Sequence, residues 1–234
     1  MPFFYTIDVY YWIILIPAFL VALAAQIRVS TTFSRYQKVG NRRGYTGYMA
    51  AQMVLQAHGV QGVRIERVRG SLTDHYDPRS NVIRLSESVY DSTSVAAVGV
   101  AAHEAGHAVQ YAVGYGPIKV RNMVIPVSSI GSQLGFVLLI AGIFFSSELL
   151  FGLGVVFFGA ILVFQLVTLP VEFNASNRAL ETLGSTHMLE DEELTGAQRV
   201  LTAAAMTYVA ALLVSMAQLL RYILLFSNSN RRER

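Results

Sequence analysis

The chain has 234 residues, 53% of them hydrophobic and 14% charged, with a mean hydropathy of +0.45. Charge this sparse excludes an ordinary soluble domain, and the absence of cysteine excludes disulfides, thiolate metal sites and cysteine nucleophiles. The net charge of +3 speaks to membrane topology rather than to nucleic acid, and no phosphate-cradling glycine loop or internal repeat is visible.

Residues 3–26 are apolar and long enough to cross a bilayer. Asp8, Tyr10, Tyr11 and Trp12 cluster at the start, where an interfacial aromatic belt belongs. Ala22-Leu-Ala24 resembles a signal-peptide cleavage site, but residues 1–12 lack the basic stretch a signal peptide needs. The segment 1–27 therefore reads as an uncleaved anchor. Arg28, Arg35, Lys38, Arg42 and Arg43 follow, which places this end on the cytoplasmic side.

Residues 28–126 form a more polar segment. Gly44 to His58 reads as a helix with Met49, Met53, Val54 and Ala57 on one side. Val63 to Val68 alternates as a strand does, and a turn over Asp74 to Asn81 precedes a second alternating run at Val82 to Leu85, the expected edge strand. The run Val95-Ala-Ala-Val-Gly-Val-Ala-Ala102 then opens a helix, capped at Asp91 to Ser94 and ending near Gly114.

That helix carries the chemistry. His103, Glu104 and His107 stand in an H-E-x-x-H arrangement. Residues four apart share a helix face, so both imidazoles can meet one ion, and Glu104 can reach a water on it as general base. Two imidazoles and a carboxylate suit zinc. A plain core helix with two hydrogen-bonded histidines is the rival reading.

Residues 127–146 and 149–169 read as two spans joined by a tight turn, with Gly131, Gly135, Gly142, Gly152, Gly154 and Gly159 suited to close helix packing. The chain returns to the cytoplasmic side at Pro170, and 171–200 holds a helix from Glu172 to Leu183 followed by acidic Glu190 to Glu193. Residues 201–234 contain a fourth apolar stretch and a basic tail. A fourth span puts Arg231 to Arg234 outside, against the charge bias; a helix lying in the interface or on the catalytic domain is the alternative.

A catalytic zinc has three protein ligands and an open position. His58, His75, Glu172, Glu181, His187 and the acids at 190–193 are all candidates for the third. Glu172 is preferred by position, because the two spans bring the chain straight back and Pro170 sets Glu172 in the first turn of a new helix; a helix-dipole role is the alternative. His75 and Tyr76 are candidate donors to the oxyanion, against a turn held by Asp74 and Asp77. Asn174 and Arg178 are candidate substrate contacts, against a pair between Arg178 and Glu181.

His103 to Gln110, the paired spans, Val171-Glu-Phe-Asn-Ala-Ser-Asn-Arg-Ala-Leu180, and Asp74 to Pro78 with Leu85-Ser86 together resemble the bacterial YugP-type neutral zinc metallopeptidases. The layout is also similar to the HtpX and CAAX prenyl protease group. The resemblance implies Glu172 as third ligand and a cytoplasm-facing site in a bacterial plasma membrane. That group commonly has Asp four residues after the ligand Glu, where this chain has Ser176, a hydroxyl able to bond a ligand His without charge.

The expected protein is thus a mostly α integral membrane protein of about four transmembrane helices with a small α+β gluzincin-like domain. It is expected to be a zinc endopeptidase with one Zn2+ per chain. Its expected partners are the bilayer and a peptide or membrane-protein substrate. A second copy or a membrane scaffold protein is a further candidate, and no nucleic acid is expected. A non-catalytic zinc-bound scaffold or adaptor is one rival function. A transporter is another, poorly supported because the spans lack charge away from their ends.

Overall fold

The computed structural model describes residues 10–232, with side chains through 225. Asp8 and the start of the anchor lie outside the described residues. A π-helical turn, Tyr11–Leu15, leads into α1 (Ile16–Tyr36). Then come α2 (Gly47–Ala57), β1 (Arg64–Val68), β2 (His75–Asp77), β3 (Val82–Ser86), α3 (Glu87–Tyr90) and α4 (Val95–Ala112). Three long helices finish the chain: α5 (Gly116–Phe144), α6 (Glu148–Ser185) and α7 (Asp191–Arg232). Among the described residues four helices, counting Tyr11–Tyr36 as one, are long and apolar enough to cross a membrane. The protein is a mostly α membrane protein with a small α+β part.

The chain divides into two compact units, one of residues 1–25, 119–169 and 207–234, the other of 26–118 and 170–206. In the first unit α5 and α6 pack through glycine. A methyl on Gly142 would fall 2.5 Å from the Phe151 backbone nitrogen, and one on Gly135 3.0 Å from that of Phe158. With no hydrophobic drive between helices in lipid, such close van der Waals approach is what holds them. Gly159 departs from the expected packing role, since nothing lies within 4 Å of the position its Cβ would take. Tyr222 of α7 meets the Phe151 and Phe158 rings edge-on.

The second unit is built on α4. Ser94 accepts the Ala97 N–H and starts the helix. Gly114 ends it with a φ of +65°, a conformation that costs glycine nothing. Ala97, Ala101, Ala102, Ala105 and Ala108 are buried, so neighbouring backbones can come close on several sides. The buried face of α2 is Ala50, Ala51, Val54 and Leu55. Met49 is exposed, so the expected Met49–Ala57 stripe is displaced toward the smaller residues that fit against α4.

The sheet has the order β1-β3-β2, with β3 parallel to β1 and antiparallel to β2. This corrects the expected strand arrangement. Val82 to Ser86 is the central strand, buried at Val82, Ile83, Leu85 and Ser86; the edges are β1 and His75–Asp77, the latter inside the segment expected to be only a turn. The turn chemistry expected of the two aspartates is present beside it. Asp77 accepts from Arg79, Ser80 and Arg84, and Asp74 accepts from the Ser86 N–H and hydroxyl. Those bonds from Ser80 and Arg84 hold the Asp77 carboxyl well below the usual carboxylate range.

A second correction concerns Pro170. It does not separate two helices: α6 runs unbroken through it, and α5 likewise contains Pro126. Membrane helices tolerate proline because local adjustments satisfy the carbonyl it frees. Glu172 therefore lies well inside a helix and not in a first turn, and the dipole alternative falls away. Asp191, Glu192 and Glu193 begin α7, just after Glu190, and Glu193 accepts the N–H groups of Glu190 and Arg42.

Candidate metal centre

On α4, His103 and His107 are one turn apart and their rings stand 4.7 Å apart, nearly perpendicular. Opposite them α6 presents Glu172. Its Oε2 lies 3.4 Å from His103 Nε2 and 3.6 Å from His107 Nε2, with side-chain exposures of 5%, 16% and 12% for the three residues in the order Glu172, His103, His107. One ligand atom from each lies within 4.8 Å of the others. Ligands about 2.0–2.1 Å from a tetrahedral zinc stand roughly 3.3 Å apart, close to the two distances from Glu172 to the histidines. Of the candidates for a third ligand, Glu172 is the one brought to the two histidines among the described residues.

Each imidazole is held from behind. His103 Nδ1 lies 3.0 Å from Ser176 Oγ, one turn past Glu172 on the same face of α6. His107 Nδ1 lies 3.0 Å from Gln110 Oε1. In both rings Nε2 is thereby left facing Glu172. Burial alone depresses the His107 pKa, but the bond to Glu172 and the charges of Glu104 and Glu172 outweigh it and leave the pKa raised. A cation is thus welcome between these groups, whether a proton or a metal.

Glu104 points elsewhere on α4, and its Oε2 accepts the backbone N–H of Tyr76 at 3.0 Å. Tyr76 belongs to edge strand β2 and is paired across it with Ile83. Its N–H therefore leaves the sheet edge toward the metal helix and fixes one carboxylate oxygen. The Tyr76 hydroxyl donates to Asn81 Oδ1, and burial pushes its pKa up, so it stays protonated. His75 has Nδ1 2.8 Å from the Thr73 carbonyl and Nε2 3.4 Å from Arg84. Asn174 accepts from Gln110 and from Arg178.

Two residues matter here that the motif does not announce. Gln110 is fully buried behind His107. Its identity follows H-E-x-x-H at the next i, i+3 position, the signal by which it could have been found. Gly106 sits where α4 meets α6, and a methyl there would lie 2.6 Å from the Ala175 carbonyl oxygen. Gly106→Ala must push backbone from backbone and widen the gap between the histidines and Glu172. We expect it to destabilise the protein by about 1–3 kcal/mol and to weaken zinc binding, as read by thermal unfolding with and without zinc. An unchanged midpoint and unchanged zinc response would refute this account of the helix contact.

The family model described as "Putative neutral zinc metallopeptidase" matches residues 11–227. A curated relative, "Putative membrane protease YugP" of Bacillus subtilis (strain 168), is 45% identical over 204 residues, 87% of this chain and 91% of the relative. No solved structure matches the chain. With a donor set shaped for zinc and a family match over nearly its whole length, the chain belongs to the neutral zinc metallopeptidase family.

Proposed function

We propose that the chain is a membrane-embedded zinc endopeptidase in which His103, His107 and Glu172 hold the ion and Glu104 is the general base. The observation that carries this reading is the convergence of three ligand atoms from two helices, beside a carboxylate adjacent in sequence to the first ligand. When bound, zinc would acidify a water and polarise the scissile carbonyl. Glu104, with Oε2 held by the Tyr76 N–H, takes the water's proton on its other oxygen and delivers it to the leaving amine. The backbone of β2 lies beside that carboxylate, which supports an extended peptide as substrate.

The site faces the cytoplasm of a bacterial plasma membrane in this reading, supported by Arg28, Arg35, Lys38, Arg42 and Arg43 close after the first apolar segment. A cytosolic stretch of a membrane protein is then the natural substrate. The test is metal removal and return. Full-length protein in detergent, given an unfolded peptide substrate, should lose cleavage on treatment with a chelator and regain it with stoichiometric zinc. Zinc bound without any cleavage of a broad peptide library would favour the scaffold reading, and cleavage indifferent to chelation would overturn the proposal.

A further inference from the structure

We propose that Gln110, Asn174 and Arg178 form a positioning relay that sets the tautomer of His107 and so aims its Nε2 lone pair at the metal position. The identity of the ion rests on the zinc peptidase reading. The relay itself rests on the direction of four hydrogen bonds.

A neutral imidazole has one N–H donor and one acceptor nitrogen. His107 Nε2 is the atom facing Glu172, so it can serve as a ligand only if Nδ1 carries the proton. The atom opposite Nδ1 therefore decides. It belongs to the Gln110 amide, which could present either oxygen or NH2. The far end of that amide settles the choice. It lies 2.7 Å from the Val171 carbonyl oxygen, which can only accept. It also lies 3.0 Å from Asn174 Oδ1. Turning the amide over would set oxygen against oxygen twice.

Asn174 is fixed in its turn. The same Oδ1 accepts the Arg178 Nε–H at 2.9 Å, and a guanidinium only donates. Polarity thus runs one way. Arg178 donates to Asn174, Gln110 donates to Asn174 and Val171, and His107 donates to Gln110. Gln110 has 0% exposure, so water cannot stand in for a lost partner. His103 has no such fixed partner, because the Ser176 hydroxyl can donate or accept. The relay therefore acts on one ligand of the pair. All its members lie on α4 and α6 within the same compact unit.

The test measures zinc affinity of the full-length protein by competition with a chromophoric chelator, together with the visible absorption of the cobalt(II)-loaded form. Gln110→Met keeps the volume and removes both polar ends. It should weaken zinc binding by about 10- to 100-fold, the usual cost of losing a partner behind a ligand histidine, and should alter the cobalt spectrum. Asn174→Leu should weaken binding less, whereas Asn174→Asp keeps an oxygen toward both donors and should bind more tightly than Asn174→Leu. In the Gln110→Met background Asn174→Leu should cost nothing more, because it acts only through Gln110.

Wild-type affinity and spectrum in Gln110→Met, or additive losses in the double variant, would overturn the relay alone. If Gln110→Met fails to fold, equal affinities of Asn174→Leu and Asn174→Asp overturn it. A wild-type protein that takes up no zinc overturns the relay and the zinc reading together.

Discussion

Glu104→Gln is expected to leave zinc content and folding intact while lowering peptide cleavage by about 100- to 10,000-fold, the range supplied by a well-placed general base. The geometry explains why the two properties should separate. Glu104 is not among the three residues whose ligand atoms converge. Its carboxylate accepts the Tyr76 N–H, which an amide oxygen can also accept. The substitution therefore keeps the link between α4 and the edge strand and removes only the basic oxygen. Single-turnover cleavage of a peptide by the zinc-loaded variant, beside metal analysis of the same sample, reads both quantities. Cleavage at the wild-type rate would show that another group moves the proton.

Glu172→Ala should act in the opposite sense and remove the metal itself. Losing a partner behind a ligand costs about 10- to 100-fold in affinity, so losing one of three ligands should cost at least 100-fold. The physical reason goes beyond a missing bond. Glu172 is 4% exposed and supplies the negative charge that makes a buried divalent ion tolerable between two imidazoles. Without it the two rings lose the anion between them, and cleavage should vanish with the zinc. Equilibrium dialysis followed by metal analysis checks this. Wild-type zinc affinity in the variant would move the third ligand elsewhere and undo the arrangement described for α6.

Much of this could be read before any coordinates. H-E-x-x-H at helical spacing names two candidate ligands and a candidate base because 3.6 residues per turn put positions 103 and 107 on one face. The four apolar segments were legible because a bilayer imposes a length and a composition that few other environments do. Turn residues marked the ends of α4, and small residues along α5 and α6 marked a close packing seam. Gly159 shows where such reading stops, since a glycine in a seam-like pattern can still face nothing. Pro170 misled for a similar reason: its cost as a helix breaker depends on what surrounds the freed carbonyl, and a long apolar helix carries it through.

Order within the sheet was also hidden. His75–Asp77 is three residues long, too short to show an alternating pattern, yet it occupies an edge and its backbone holds Glu104. Local sequence thus fixed which residue types could do chemistry: the histidine pair, the adjacent glutamate, the absence of any sulfur ligand and the membrane class of the chain. Only the tertiary structure decided which carboxylate of several joins the histidines, which strand touches Glu104, and that Gln110 stands behind His107. The carboxylate, the strand and the bonds that orient Gln110 depend on contacts between positions tens of residues apart, where periodicity carries no information and the close approach of α4 and α6 at Gly106 selects the partners.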